Sequence, residues 1–569
     1  MNNFIISNKL YNYIEALKFK NIDKGILTEL KILSDTIISL NFDLNEETFP
    51  IFEKYFIEKN YLKRILRDLI YNKKCEEIET TLKEIPSSLI KLTRITGIGK
   101  NLANILYKEL NIMDIDDLKL AIKEKKLREI KQIGIKGEEI INKNLNIYNK
   151  LQKEFSYSYG ISVYNFIKEI FKKERLEKFQ LVGSLRRKKD VIKNINILIS
   201  NEELEKILKI LKDSNELFII EKKENFLKFK TIYSEIEIVV NYVPERYFES
   251  ALLFFTGPRS LNSFLKEKNK KFNFSIDKSG FLKIENYTEK EIFYLFLLPY
   301  IPPELRDNWE YFIKFKDNLS IEYNIKGDLH VHTNYSDGIS SIYEIVKKAR
   351  ELGYEYIGIT DHAEDLKVAR GLKKEKIMEE RLAIKKIQKV FPDIKILFGV
   401  EANIRIDGSI DVEDEVLKEL DYTIGSIHFN FNETIETNMK RYIKAMNNPF
   451  ITIIGHPSGR KIGERKEMDI DWKNFFNEAE RTKTILEINS TIDRFDLSPN
   501  LSFEANKYNI FFSINSDAHI SPQLNYVKNF GLNIAKKAFI NEKKIINTYN
   551  YKNLLEILKI KREKITSSH

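Results

Sequence analysis

Histidine is rare in this chain and is concentrated in one part of it. The 569 residues contain seven histidines, none before residue 330, and only the last of them, His569, lies beyond residue 519. Imidazole and carboxylate groups together suit Zn, Mn or Fe, and carboxylates that share a cavity need metal charge to stay ionised. A metal site is therefore predicted from these motifs: His330-x-His332 with Asp337 following, Asp361-His362, Glu401, His428, His456 and Asp517-x-His519.

The segments around these motifs predict how the side chains are brought together. From residue 327 onward, short apolar segments such as YIGITDH and IKILFGVE alternate with helical patterns. Repeated β–α alternation favours parallel strands, in an open sheet or closed into a barrel. In a barrel the carboxyl ends of the strands meet at one rim, and the six histidines all follow strand-like segments. We therefore expect the ligand-type residues to converge. Because all six of these histidines lie at predicted strand ends, a chance distribution is improbable.

The segments DLHVHTNYSDG, ITDH, GVEANI, SIH, GHP and SDAH resemble the PHP (polymerase and histidinol phosphatase) superfamily of metal-dependent phosphoesterases over residues 327–569. The resemblance implies an α/β domain, a distorted (β/α)7 barrel, that holds two or three divalent ions, with Mn²⁺ preferred over Zn or Fe. It assigns nine metal-binding and catalytic positions: His330, His332, Asp337, His362, Glu401, His428, His456, Asp517 and His519.

Two arginines close to the GHP motif are candidate phosphate ligands. Arg460 and Arg465 lie in GHPSGRKIGER and could each hold a second phosphate bidentately. An exposed surface arginine is the equally ordinary alternative for both.

The basic excess lies in the other half of the chain. Residues 1–326 carry 57 Lys and Arg against 48 Asp and Glu, a net charge of +9, whereas residues 327–569 carry +1. A basic half suggests a polyanion partner. Residues 1–84 show helical periodicity, and residues 85–150 contain two glycine-centred turns that suggest helix-hairpin-helix motifs. Such turns point backbone N–H groups at phosphate, which makes Gly97, Gly99 and Gly134 candidate DNA contacts.

Short strands begin at Phe179, and a second resemblance appears there. Gly183-Ser184-Leu185-Arg186-Arg187, followed by FFTG and LPYIPPELR, resembles the bacterial and archaeal family X DNA polymerases, which have a beta-like core before a C-terminal PHP domain. This implies an α+β nucleotidyltransferase-like palm over residues 151–250 and a thumb-like region over 251–320. It also makes Gly183, Ser184 and Arg187 candidates to hold a phosphate or nucleotide. Residues 1–84 lack the family's basic segment.

The polymerase carboxylates of that family are missing here. The D-x-D positions hold Asn194 and Asn196, and the third position holds Val239, or Glu237 after a two-residue shift. Two-metal phosphoryl transfer needs anionic oxygens to hold both ions. We therefore expect Mg²⁺ binding and polymerase activity to be lost, while Lys193 adds a cation at the same place.

These observations predict a multidomain, cytoplasmic enzyme that acts on DNA. The single cysteine excludes a disulfide framework and a cysteine zinc cluster, and neither a signal peptide nor a membrane-spanning segment is evident. The leading prediction is a repair-type 3′–5′ exonuclease or 3′-end phosphatase acting on ends, gaps or single strands. The alternatives are a DNA polymerase with proofreading, a histidinol-phosphate-type phosphatase, or a non-catalytic DNA-binding scaffold. The oligomeric state is left open.

Overall fold

Helices form the N-terminal part of the chain. The computed structural model describes residues 2–566 except 21, 58, 86, 94, 96, 152 and 317–321. Two groups of helices bury separate apolar cores, one built around Leu10, Phe52 and Leu66 and the other around Leu106 and Leu127. The first group comprises α1 (Asn3–Leu17), α2 (Lys24–Ser39), α3 (Phe49–Phe56), α4 (Asn60–Tyr71) and α5 (Glu76–Glu84). The second comprises α6 (Ser87–Thr93), α7 (Lys100–Leu110), α8 (Ile115–Lys123) and α9 (Gly134–Leu151).

A five-stranded sheet and its helices follow. The elements are β1 (Phe155–Ser156), α10 (Tyr157–Lys173), β2 (Phe179–Val182), α11 (Gly183–Arg186), β3 (Val191–Ile192), β4 (Asn194–Ser200), α12 (Leu204–Asp213), β5 (Leu217–Lys222), β6 (Phe226–Thr231) and β7 (Glu237–Val243). The strand order is β2-β4-β7-β6-β5, in which β4 and β7 are parallel and the other pairs are antiparallel. One face packs on α10 and α12 around Ile167, Ile197 and Leu227.

The segment after this sheet is helical and has its own core. Leu261, Phe293 and Trp309 are buried together there, and Phe539 of the C-terminal half joins the same cluster. Its helices are α13 (Phe248–Thr256), α14 (Arg259–Lys268), α15 (Glu289–Leu295) and α16 (Trp309–Phe315).

The C-terminal half is a barrel of seven parallel strands. The strands lie in sequence order from β8 to β14, and a parallel bridge between Val331 and Ala518 joins the first strand to the last. The elements are β8 (Gly327–Asp328), α17 (Ile342–Glu351), β9 (Tyr356–Ile359), α18 (Lys374–Val390), β10 (Lys395–Asn403), α19 (Asp414–Leu417), β11 (Tyr422–Ser426), α20 (Ile435–Asn447), β12 (Ile453–Ile454), α21 (Trp472–Thr482), β13 (Ile485–Asn489), α22 (Pro499–Ala505), β14 (Phe512–Asn515), α23 (Leu532–Lys537) and α24 (Tyr551–Thr566).

Apolar side chains fill the barrel and leave only one rim for polar groups. Leu397, Tyr422 and Ile453 pack inside it against Leu554 and Leu558 of α24, which close the end where the strands begin. The expected fold, with a polymerase-like α+β half and a seven-stranded β/α barrel, is confirmed. The residue boundaries given above for the five segments stay a prediction.

Buried polar contacts join the barrel to the sheet domain. The Lys537 ammonium donates to the Arg187 carbonyl oxygen at 2.8 Å and lies 3.2 Å from the Asp307 carboxylate. Asp307 also accepts from the Arg187 guanidinium at 2.9 Å, and the Arg460 guanidinium donates to Asp190 at 2.7 Å. Both halves therefore share ion pairs in which each charge is compensated.

Among the described residues, no helix has the length and apolar character needed to cross a membrane.

Candidate metal centre

The nine ligand-type residues lie at one rim of the barrel. Each comes from the carboxyl end of a strand or from the loop after it, where parallel strands converge. Six of the nine have less than 9% of their surface exposed, although they are histidines and carboxylates, and Asp337, His428 and His519 are half-buried. Polar groups of this kind are buried only when they are paired with each other or with an ion.

Glu401, a buried carboxylate near the end of β10, lies at the centre of the cluster. Its Oε2 atom is 2.8 Å from His362 Nδ1 and 3.4 Å from His330 Nε2. Its Oε1 atom is 3.0 Å from His456 Nε2 and 3.2 Å from His428 Nε2. One carboxylate thus faces four imidazoles from four different strand ends, an arrangement that suits a carboxylate bridging two cations.

Two aspartates complete the cluster on the other side. Asp517 Oδ1 lies 3.1 Å from His332 Nε2, and Asp337 Oδ1 lies 3.4 Å from His519 Nε2 and 3.6 Å from His362 Nε2. Within the described part of the chain, three overlapping sets have ligand atoms within 4.8 Å of one another: His332, Asp337, His362 and His519; His330, His332 and Asp517; and His362, Glu401 and His428.

Unpartnered polar atoms show that this cluster fits divalent ions. His330 Nε2, His332 Nδ1 and His456 Nδ1 are buried without a hydrogen-bond partner. His332 Nε2, His362 Nδ1 and Glu401 Oε2 lie near an opposite group but form no aligned hydrogen bond with it. Leaving such atoms unpaired costs about 1–3 kcal/mol each, whereas a bound cation would satisfy several of them. The donor set, imidazole nitrogens with carboxylate oxygens, is the one that transition-metal ions prefer.

The local electrostatics keep the carboxylates charged. Burial alone would raise the pKa of Glu401 and Asp517, but the surrounding imidazoles hold both pKa values well below the usual range. Burial lowers the pKa of His332 to about 4, assisted by the neighbouring imidazoles of His362 and His519. Burial also lowers the pKa of His456 to about 4, with a further effect of the Arg494 charge. Burial also acts to lower the pKa values of His330, His362 and His519, but the facing carboxylates outweigh it and raise all three above the ordinary value. These three imidazoles would release a proton on binding metal, because ionised carboxylates and neutral imidazoles are the states that bind it.

Residues outside the predicted set hold the ligands in place. Glu487, at the end of β13, has Oε1 2.7 Å from His330 Nδ1, and its Oε2 atom accepts from the His456 backbone N–H at 2.7 Å. Asn403 Oδ1 lies 2.7 Å from His428 Nδ1. Such partners fix the orientation of metal-binding imidazoles. The sequence carried a signal for Glu487, because β13 was the strand end without an assigned ligand and its segment TILEIN contains a carboxylate.

A further residue missed by sequence reasoning is Arg494, in the loop after β13. Its Nη1 atom is buried without a hydrogen-bond partner, and among the described residues no carboxylate lies within ion-pair distance of its guanidinium. Its charge acts on Asp517, Glu401 and His456. An unpaired guanidinium beside the cluster is suited to hold an anionic group.

The two predicted phosphate-binding arginines of the GHPSGRKIGER segment have different surroundings. Arg460 is 7% exposed and its guanidinium donates to Asp190 and to the carbonyl oxygens of Arg494 and Phe495. The structure thus uses Arg460 to link the two halves of the molecule. Arg465 is half-buried, donates to the Gly459 carbonyl oxygen at 2.7 Å and forms no described ion pair.

The palm residues form a second, different site. In the register of β4 and β7, Asn194 is opposite Glu237 and Asn196 is opposite Val239. The Asn196 amide donates to Asn194 Oδ1 at 2.7 Å. Lys193 is exposed beside them. No described carboxylate other than Glu237 occupies these facing positions, so the face lacks the several anionic groups that two cations need.

Of the three palm residues predicted to hold a phosphate, Arg187 already makes hydrogen bonds within the protein. The Arg187 guanidinium donates to Asp307 and to the Thr256 carbonyl oxygen. Gly183 has φ +71°, and a Cβ atom there would lie 3.0 Å from Asn196 Nδ2. Ser184 follows it at the start of α11 and is half-buried.

The glycines of the two helical turns are open. Gly97 has φ +95°, with only the Asn144 amide within 4 Å of an added Cβ, while Gly99 is the residue before α7. Gly134 has φ +60° and begins α9, and neither Gly99 nor Gly134 has an atom within 4 Å of such a Cβ. Both turns leave room for a backbone phosphate. Binding by these glycines and the metal-ligand roles of the nine residues stay predictions.

This chain is similar to known proteins over most of its length. The family model of the PHP domain matches residues 328–494, and that of the DNA polymerase beta thumb matches residues 251–307. DNA polymerase/3′-5′ exonuclease PolX of Bacillus subtilis (strain 168) is 32% identical over 508 residues, which cover 87% of this chain and 89% of that protein. A probable phosphatase of Thermoanaerobacter sp. (strain X514) is 31% identical over 42% of this chain and 96% of its own length. A ternary complex of Leishmania infantum polymerase beta covers 39% of this chain and 98% of its own at 14% identity, with a TM-score of 0.25.

Proposed function

This chain belongs to the PolX family, the family X DNA polymerases that carry a PHP domain, and we propose that it is a metal-dependent 3′–5′ DNA exonuclease. The observation that carries the proposal is the rim cluster around Glu401, with its buried, unpartnered nitrogen and oxygen atoms. The exonuclease name of the Bacillus subtilis relative and the phosphatase names of other relatives support phosphoester chemistry.

The cluster is proposed to hold two or three divalent ions. The residues that would hold them are Glu401 with the imidazoles around it, His330, His362, His428 and His456, together with His332 and Asp517. Asp337 and His519 would complete the set with His332 and His362. Mn²⁺ is the proposed working metal because the family resemblance implies it; the mixed imidazole and carboxylate donor set suits Mn²⁺ but also Zn and Fe. Bound ions of this kind neutralise phosphate charge and lower the pKa of a bound water.

The chain's own residues would orient the substrate. Arg494 is proposed to hold the non-bridging oxygens of the phosphate beside the scissile bond, because its buried Nη1 atom has no hydrogen-bond partner. Glu487 and Asn403 would keep the imidazoles of His330 and His428 turned toward the cluster. Arg465 lies further along the same loop as His456 and would contact the next phosphate.

The N-terminal half is proposed to bind DNA without extending it. The open turns at Gly97 and Gly134 and the net charge of +9 favour contacts with the phosphate backbone. The Asn194 and Asn196 pair would leave the palm without its metals. This assigns the chain a place among DNA-repair proteins as an end-trimming enzyme.

One gel experiment tests the proposal. Purified protein with Mn²⁺ is given end-labelled single-stranded and gapped DNA, with and without deoxynucleotides. We expect shortening from the 3′ end in both cases and no nucleotide-dependent lengthening. Loss of only a terminal 3′ phosphate would assign an end phosphatase instead, and an unchanged substrate would contradict the proposal.

A further inference from the structure

Helix α2 of the N-terminal domain lies against the rim of the barrel, beside the metal centre. Its Ile32 side chain is buried in one cluster with Ile339 and Ile520. Ile339 follows Asp337 by two residues, and Ile520 directly follows His519. A helix from the first 40 residues of the chain therefore packs on the two loops that supply these ligand candidates.

A hydrogen-bonded chain runs from α2 to His519 through one buried amide. Gln523 Oε1 accepts from the His519 backbone N–H at 2.9 Å, and Gln523 Nε2 donates to Thr36 Oγ1 at 3.1 Å. The Thr36 hydroxyl donates in turn to the Ile32 carbonyl oxygen at 2.7 Å, which leaves its oxygen free to accept from Gln523. Thr36 is 1% exposed and Gln523 is 4% exposed, so water does not replace these contacts.

Neighbouring contacts hold the same segment on the same helix. The Tyr526 hydroxyl donates to the Asp35 carbonyl oxygen at 3.1 Å and lies 3.1 Å from the Ser39 hydroxyl. The His519 carbonyl oxygen accepts from the Ile339 N–H. Both backbone groups of His519 are therefore fixed, one by the Asp337 loop and one by Gln523, which in turn donates to Thr36 of α2.

We propose that α2 is part of the phosphoesterase site, and that Thr36 and Gln523 are positioning residues that hold His519 for metal binding. The inference rests on the proposed function, in which His519 is a metal ligand. It makes the N-terminal helical domain a structural requirement for the metal centre, in addition to any contact that domain makes with DNA. Partners that orient a ligand indirectly typically contribute about 10–100-fold to metal affinity or activity.

The test uses the full-length protein and isosteric substitutions. Thr36→Val removes the hydroxyl at nearly constant volume, Gln523→Leu removes both the accepting oxygen and the donating nitrogen of the amide, and Thr36→Ser keeps the hydroxyl. Thr482→Val is the matched control, because Thr482 is also buried and its hydroxyl donates to a helix carbonyl, that of Glu478, at 2.8 Å. Bound Mn²⁺ is counted by elemental analysis after dialysis, and the Mn²⁺ dependence of bis(p-nitrophenyl) phosphate hydrolysis is measured with each variant.

We expect Thr36→Val and Gln523→Leu to retain less Mn²⁺ and to need roughly 10-fold more of it for half-maximal rate. Thr36→Ser should restore the wild-type Mn²⁺ content, and Thr482→Val should lower thermal stability alone. Wild-type Mn²⁺ content and dependence in both Thr36→Val and Gln523→Leu would overturn the inference. A wild-type protein that binds no Mn²⁺ and hydrolyses nothing would instead overturn the proposed function.

Discussion

Glu401 and Asp517 are buried carboxylates that the surrounding imidazoles keep ionised. Burial would favour their protonated forms, yet the pKa values of both lie well below the usual range because several histidines face each carboxylate. Two of the ligand candidates, His456 and Asp517, also have positive φ angles of 28° and 52°. Left-handed backbone at residues other than glycine costs of order 1–3 kcal/mol and is retained mostly at functional sites. Buried charges and left-handed backbone at this rim both lower the folding stability, as expected where residues are retained for ligand binding.

Asp517→Asn is the sharpest test of the cluster at this scale. The amide keeps the size of the side chain but removes a negative charge 3.1 Å from His332. We expect DNA hydrolysis to fall by more than about 100-fold, beyond the range for indirect partners, with fewer Mn²⁺ ions bound. Elemental analysis and a single-stranded DNA cleavage assay measure both quantities. Full metal content with full activity would contradict the assignment of Asp517.

Arg494→Met tests the arginine that sequence reasoning missed. A charge-assisted hydrogen bond is worth about 1.5–3 kcal/mol, so we expect kcat/KM on DNA to fall roughly 10- to 100-fold. The Mn²⁺ content should stay at the wild-type level, because Arg494 holds no metal. Arg494→Lys keeps the charge but not the forked geometry and should fall between wild type and Arg494→Met. A variant with unchanged kcat/KM would remove Arg494 from the site.

At the scale of elements, the barrel and the palm sheet differ in the residues that they place at their candidate metal sites. The barrel has kept a ligand candidate at six strand ends and Glu487 at the seventh. The palm sheet has kept its strand order, but the facing positions of β4 and β7 hold Asn194, Asn196, Glu237 and Val239. The asparagine amides are hydrogen-bonded to each other, so a neutral contact occupies the place where the family resemblance implies carboxylates.

Primer extension tests this difference directly. We expect no template-directed incorporation by the wild-type protein with Mg²⁺ or Mn²⁺, because a single carboxylate cannot hold two ions. We expect Mg²⁺ to raise the melting temperature of the triple variant Asn194→Asp/Asn196→Asp/Val239→Asp more than that of the wild type, because the variant has three additional carboxylates on one face. Incorporation by the wild type that is lost in Glu237→Gln would show that the polymerase site has been rebuilt around Glu237.

At the scale of the whole molecule, the proposed function assigns DNA binding and hydrolysis to different halves, and polar contacts join these halves. The basic excess belongs to residues 1–326 and the histidine cluster to residues 327–569. Ion pairs of Lys537 with Asp307 and of Arg460 with Asp190 cross between them. The helix α2 contact adds a third junction, at the metal centre itself.

This division predicts that affinity and catalysis separate. We expect Asp517→Asn to bind single-stranded and gapped DNA nearly as tightly as wild type. For both proteins the logarithm of the DNA association constant should fall linearly with the logarithm of the salt concentration, because phosphate contacts release counterions. Fluorescence anisotropy with labelled DNA at several salt concentrations measures this. A collapse of DNA affinity in Asp517→Asn would instead place the main DNA contacts at the rim.

Much of this could be predicted from the sequence because the determining features are local. A β–α alternation predicts parallel strands, and the carboxyl ends of parallel strands meet at one rim; residue types at those ends therefore predicted both the barrel and its metal-binding character. The loss of the palm carboxylates could likewise be read from Asn194 and Asn196. The predictions for the barrel and for the family are confirmed, while the individual site residues stay predictions.

Only the tertiary structure decided which distant residues support the cluster. Glu487 contacts His330 across 157 residues, and Gln523 contacts Thr36 across 487. The same holds for the unpaired guanidinium of Arg494 and for the use of Arg460 as a link to Asp190. Such contacts depend on loop geometry and domain packing, which no local spacing encodes. The six clustered histidines thus predicted a metal site from the sequence alone. The residues that hold the ligand candidates in place, and the contact of the N-terminal helix α2 with them, could be identified only from the tertiary structure.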